Sequence, residues 1–181
     1  MEFITLKNYK NVAIIQNVII RPLKINHDNS SRLIETLRTD WQDVYGSRRG
    51  FFMQYCSVVS SGTAKDENEW HFHNFQEDRI TVVSGEIVLA VADTRKNSKT
   101  KGVINLFYMT SEINPFMIVI PRKTLHGFVV VSKEKAVLLN FPTALYNPKD
   151  NKNIPFSQAN VDLPNGIPFA WDEIKKYFNL K

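Results

Sequence analysis

Four side chains in this sequence have the types and spacing to hold a cation or to move protons: His71, His73, Glu77 and His126. The first two stand in Trp70-His71-Phe72-His73, just before a run rich in β-branched residues. In an extended strand, residues i and i+2 share a face, so both imidazoles project together and Phe72 points away. Pro121-Arg122-Lys123-Thr124-Leu125-His126-Gly127 brings a third imidazole to the mouth of another apolar run. Imidazoles and a carboxylate converging on one point bind a divalent metal ion or exchange protons near neutral pH. A lone His-x-His pair is more simply read as two core rings. The third histidine at its distance from a proline favours a working cluster. His27 sits apart in a polar Asn/Asp/Ser stretch and reads as surface.

Other residues are candidates around that cluster. Gln54 lies in a strand pattern ahead of the first histidines and is expected to face the cavity. Arg79 and Lys123 are cations for a phosphorylated ligand, though a solvated face explains them equally well. Tyr146, beside Pro148, reads as a proton donor, as a stacking platform or as a loop-packing residue. Asp93 and Arg95 either pin a turn through an ion pair or belong to the site. Asp162 is a candidate for orienting a histidine.

These residues need a scaffold, and the pattern is that of short strands. Segments 12–20, 51–59, 80–92, 103–109, 116–120, 127–131 and 135–141 are rich in Val, Ile and Phe and are separated by Gly, Pro, Asn and Ser. Ser84-Gly85 interrupts one run and predicts a tight hairpin turn. Two helices are expected, over 31–40 and 171–180. The second has Trp171, Ile174, Tyr177 and Phe178 on one face and acids at its start. Many short strands at close spacing predict an all-β antiparallel barrel with short flanking helices, in one domain spanning 1–181.

The 181 residues are enough to bury a real core, and 43% hydrophobic with 23% charged is ordinary for a globular chain. A formal charge of +5, with the basic residues scattered, argues against a nucleic-acid arm and is compatible with a small anionic ligand. The single cysteine, Cys56, excludes an intrachain disulfide and fits a reducing compartment. The polar N-terminus lacks the apolar core of a signal peptide, and no run is long enough to span a bilayer. A cytoplasmic location without membrane or nucleic-acid partners is expected.

The histidine set resembles the two cupin motifs: His71, His73, Glu77 and Gly85 for the first, Pro121 and His126 for the second. Further segments narrow the resemblance. Asp93 to Gly102 resembles the D-x-R-x-x-S-P-T-x-G signature of the dTDP-4-dehydrorhamnose 3,5-epimerase family. Ile120-Pro121 to His126-Gly127-Phe128 is similar to its I-P-x-x-x-x-H-G-F. Leu145 to Pro148 is similar to its Y-x-P turn, and Gly166 to Trp171 to its closing I-x-x-W. The resemblance implies a cupin-type jelly roll, a homodimer with sheets joined across the interface, a nucleotide-sugar ligand and no cofactor. It implies epimerisation at C3 and C5 of a 4-keto-6-deoxyhexose, with His71 at the position of the base. Several positions depart from the family. His73 replaces a Gln, Asn68 an Arg, Asp78 a Lys and Ser30 an Arg, while Glu35 is kept. Asn140 stands where the family has its acidic Tyr. Tyr146, His73 and His126 are then the candidates for the proton donor, with Tyr146 and His126 better placed opposite the base. Asn140, His73, Gln54, Arg79 and Lys123 are expected to bind substrate. The alternatives are a metallocupin in which His71, His73, Glu77 and His126 hold one divalent ion, and a sugar-binding relative that does not catalyse.

Overall fold

The computed structural model describes every residue except Ser47 and Lys181. Two antiparallel sheets face one another. One runs in the order β1 (Ile19–Pro22), β10 (Phe116–Ile120), β7 (Asp78–Ser84), β12 (Ala136–Asn140) and β4 (Tyr55–Val59). The other runs β13 (Lys152–Pro155), β6 (Glu69–Phe72), β11 (Leu125–Val130), β8 (Glu86–Ala92) and β9 (Ile104–Thr110), and the short β5 (Ala64–Lys65) also pairs with β11. A small ribbon of β2 (Ile25–His27) and β3 (Arg32–Ile34) stands outside both. Helix α1 (Phe156–Ala159) and helix α2 (Trp171–Tyr177) follow β13. This is the all-β, cupin-type antiparallel jelly roll that the sequence predicts.

Side-chain alternation builds the interior. Ile80 and Val82 on β7, Leu89 and Val91 on β8, Ile118 and Ile120 on β10 and Leu138 on β12 meet between the sheets. Each such side chain removed from water contributes about 1.5–3 kcal/mol. A second apolar cluster lies outside the six-stranded sheet. There Trp70, Phe169, Trp171 and Ile174 pack, with Phe156 against them, so α2 is held by its Trp171–Ile174 face. A third, with Met117, Val119 and Phe141, backs the five-stranded sheet.

Four expectations are corrected. Residues 31–40 do not form a helix. The Asp28 carboxylate accepts from the Ser30 and Ser31 backbone N–H groups at 2.8 and 2.7 Å and from the Ser31 hydroxyl at 2.7 Å. That closes a hairpin turn and sends Arg32–Ile34 back along Ile25–His27. The C-terminal helix ends at Tyr177, short of 180. Of segment 12–20, only the last two residues enter a strand, although Ile15 is buried. Ser84-Gly85 is no hairpin, because β7 and β8 belong to different sheets. Gly85 is a corner at φ 76°, where a Cβ would meet Ala136 Cα and the Lys135 carbonyl at 2.9 Å.

Candidate functional site

A cavity of about 500 Å³ opens between the two sheets, within the usual range for small-molecule sites. Its walls come from different sheets. The six-stranded sheet contributes His71, His126 and Phe128, and the five-stranded sheet contributes Tyr55, Asp78, Ile80 and Asn140.

The histidines reach this cavity for local reasons. On β6, Trp70 is fully buried in the outer aromatic cluster, which turns its neighbour His71 inward. His126 on β11 pairs directly with His71 across the ladder. Gly127 follows because a Cβ there would meet the Trp171 ring at 2.9 Å, so glycine lets α2 close down beside the site. His73 lies just past β6. Its carbonyl accepts from the Lys123 N–H at 2.7 Å, with Lys123 at φ 62°, which ties the two histidine-bearing segments together.

Hydrogen bonds fix the rings. The Asn153 amide donates to Glu69 Oε2 at 2.9 Å, which leaves its Oδ1 facing His71 Nδ1 at 2.8 Å. His71 Nδ1 therefore carries a proton. His73 Nδ1 faces the Asp150 carbonyl at 3.0 Å and is protonated for the same reason. The two Nε2 atoms lie 2.9 Å apart, a contact that needs one proton or a cation between them. Burial, and then the charge of His126, push the pKa of His71 below the ordinary histidine value, against the Asn153 hydrogen bond.

Asp78 is the carboxylate of the cluster. Its Oδ2 lies 3.3 Å from His126 Nε2 and 3.5 Å from His73 Nε2. Its Oδ1 accepts from Asn140 Nδ2 at 2.9 Å and from Gln76 Nε2 at 3.1 Å. Burial opposes its charge. The hydrogen bond and charge of His126, the charge of His73 and the Asn140 hydrogen bond outweigh burial and hold the carboxyl at about 2. Asn140 Nδ2 donates also to the Tyr55 hydroxyl at 2.6 Å, while its Oδ1 accepts from the Arg79 N–H at 3.1 Å.

Several candidates lie elsewhere. Glu77 faces away from the histidines and pairs with Arg49 at 2.6 Å, in a separate cavity lined also by Arg48, Arg95 and Arg122. The metal set His71, His73, Glu77 and His126 is therefore corrected. Among the described residues, a ring nitrogen of each of the three histidines lies within 4.8 Å of the others, with Asp78 alongside. Arg79 is fully buried, and its guanidinium donates to the carbonyls of Phe141, Val44, Arg49 and Gly50. It staples Val44, Arg49 and Gly50 to the barrel, with four of its five N–H donors spent on these carbonyls and the side chain sealed from any ligand. Lys123 is exposed, and its side chain is not on the cavity wall. Gln54 is exposed one residue before β4, out of phase with the wall. Tyr146 is 67% exposed on the loop after β12 and does not line the cavity. Asp162 pairs through its backbone with Pro168, and Asn153 orients His71 instead. Asp93 is the centre of a turn. It accepts from Arg95, from the Ser98 hydroxyl at 2.5 Å and from the Thr100 hydroxyl at 2.6 Å.

Lys65, Tyr55 and Asn153 are polar wall residues with no counterpart among the sequence candidates. Lys65 on β5 is an exposed cation at the cavity. Tyr55 is the cross-strand partner of Asn140. Strand register would have found Tyr55, but single-sequence periodicity does not supply register.

Known proteins share this architecture. Residues 12–174 match the family model for dTDP-4-dehydrorhamnose 3,5-epimerase. A probable low-salt glycan biosynthesis epimerase of Haloferax volcanii is 32% identical over 145 residues, 78% of this chain and 88% of that protein. The crystal structure of a dTDP sugar isomerase from Desulfovibrio desulfuricans superposes with a TM-score of 0.73 at 19% identity, covering 89% of this chain and 96% of that one. A Legionella pneumophila dTDP-6-deoxy-D-glucose-3,5-epimerase, crystallised in complex with dTDP-4-keto-L-rhamnose, superposes at 0.70 with 24% identity over 84% of this chain and 81% of that one. These two likenesses concern the fold.

Proposed function

The chain belongs to the dTDP-4-dehydrorhamnose 3,5-epimerase family, and from that premise we propose that it epimerises a dTDP-4-keto-6-deoxyhexose in deoxysugar or polysaccharide biosynthesis, with His71 as the base. The observation that carries this reading is the state of His71: Nδ1 fixed on Asn153, Nε2 in the cavity, and the ring kept neutral by burial. The C4 ketone acidifies the neighbouring C–H bonds. His71 Nε2 trades its His73 contact for one of those hydrogens and takes the proton. The electron pair moves into the C4 oxygen as an enolate. The proton that the two rings shared stays with His73 beside Asp78, a positive charge against which the enolate is stabilised. Lys65 is the cation at the cavity for the diphosphate.

The reading treats residues 1–181 as one domain that works in the cytoplasm as a homodimer. The exposed apolar residues Phe51, Phe52 and Val58, on and beside edge strand β4, support an interface there. No helix among the described residues is long and apolar enough to cross a membrane. In deuterated water, dTDP-4-keto-6-deoxyglucose is expected to gain deuterium at C3 or C5 in the presence of the protein. A spectrum without exchange at either carbon refutes the reading.

A second reading draws on the Nε2–Nε2 contact, since a divalent ion held by His71, His73 and His126 fills that gap as well as a proton does. Nδ1 atoms facing oxygen are the outer hydrogen bonds that such ligands use. Stoichiometric metal in protein never passed over a nickel column supports this reading. Metal-free protein from metal-supplemented growth removes it.

A further inference from the structure

Reprotonation from the face opposite the base needs an acid, and the family position for it holds Asn140, whose amide is not a working acid at neutral pH. The cavity contains another hydroxyl. Tyr55 lies directly across the β12–β4 ladder from Asn140, and both side chains line the cavity. The Asn140 amide donates to the Tyr55 oxygen at 2.6 Å. That oxygen acts as acceptor in this bond, so the phenolic hydrogen remains free to be given to something else. Tyr55 stands on the five-stranded sheet and His71 on the six-stranded sheet, so the two form opposite walls of one cavity.

We infer that Tyr55 is the acid of the epimerisation, delivering a proton to the enolate carbon from the wall facing His71. The inference rests on the epimerase reading above. His71 takes the C–H hydrogen as a proton, and the bonding pair becomes the enolate. The enolate carbon then forms a new C–H bond with the phenolic proton, leaving tyrosinate on one side and imidazolium on the other. Solvent returns a proton to Tyr55 and takes one from His71, so the cycle consumes nothing. Burial, followed by the nearby charge of Asp78 and against the Asn140 hydrogen bond, pushes the Tyr55 phenol up to about 12, so it holds its proton at neutral pH until the enolate forms. The strand pair gives a physical account of the exchange of residues. Directly opposed residues on an antiparallel pair share a face, so a hydroxyl lost from β12 is replaced from β4 without altering the barrel.

The test separates proton removal from proton delivery. Wild type, Tyr55→Phe and His71→Ala are incubated with dTDP-4-keto-6-deoxyglucose in deuterated water and followed by NMR. Wild type is expected to show both deuterium uptake and inverted product. Tyr55→Phe should still take up deuterium with configuration retained, because His71 alone removes the proton and returns a deuteron to the same face. Its inverted product should fall about 100-fold or more. His71→Ala should show neither. Inversion by Tyr55→Phe at the wild-type rate overturns the inference and leaves the epimerase reading standing. A wild type without exchange or product ends both. Should Tyr55→Phe fail to fold, a fluorotyrosine placed at 55 decides. It lowers the pKa of the phenol and must move the alkaline limb of the rate profile downward, and an unmoved limb overturns the inference.

Discussion

Asp78 and Asp93 are both almost sealed from solvent, at 3% and 1% exposure, and both are kept ionised by what surrounds them. Their partners differ in kind. Asp93, in the turn at the barrel rim, is gripped by Arg95 and by the hydroxyls of Ser98 and Thr100. Against the cost of burial, those bonds hold its carboxyl well below the usual range. None of them changes charge near neutral pH, so the arrangement is a clasp. Asp78, in the cavity, faces His126, His73 and Asn140. Two of these are imidazoles, the side-chain type that serves most often as a proton carrier in sites. A depressed carboxyl pKa therefore does not by itself mark a site, and the chemistry of its partners does.

Four measurements test this difference between the two aspartates. The largest effect is expected for His71→Ala, which removes the base that Asp78 helps to surround and should slow turnover about 1000-fold. A smaller loss would mean that another group removes the proton. Next comes Asp93→Asn. Breaking a buried ion pair costs about 3 kcal/mol, which lowers the melting temperature by roughly 6–12 °C in a chain of this size. Turnover below that temperature should stay at the wild-type value, and a loss of turnover in a thermally unchanged protein would make the rim clasp part of the chemistry. Asp78→Asn should reduce turnover about tenfold through disordered His73 and His126, since an amide still accepts one hydrogen bond but carries no charge. Both aspartates have lowered pKa values in the fold. Each contributes stability that is fully present above the unfolded carboxyl value of about 4 and lost as pH falls through the folded value, so acid unfolding alone will not tell them apart. The smallest effect lies in the rate profile. Since burial disfavours the His71 imidazolium, the acid limb should fall below about 6.5. A limb above that value would assign it to another group.

The fold and the histidines were legible because both rest on local pattern. Alternation placed His71 and His73 on one face, and the turn chemistry around Pro121 placed His126 at a strand mouth. The choice between Glu77 and Asp78 was legible too, though it was read wrongly. Ile80 and Val82 are the core-facing residues of β7, and Asp78 shares their parity while Glu77 does not. Arg79, read as a phosphate ligand or a solvated surface cation, is neither, because its four carbonyl partners include three from residues some thirty positions earlier in the chain. Tyr55 was missed because its meaning depends on lying opposite Asn140, a pairing set by register between distant segments. The helix over 31–40 failed where a local competitor won. The Asp28 side chain satisfies the backbone of Ser30 and Ser31 as a turn before a helix can start.

The ribbon of β6 and β13 meets the remaining strands of its sheet through a single register pair, His71 with His126. A ladder that narrow has its own opening free energy, separate from that of the whole barrel. The cavity can therefore breathe by parting at this seam while the core between the sheets stays closed, and ligand entry and global unfolding become distinct events with distinct barriers. A molecule held across the seam acts as a rung. It should slow amide exchange in Glu69–Phe72 and in Lys152, Asn153 and Ile154 while leaving the exchange of β8 and β9 as it was.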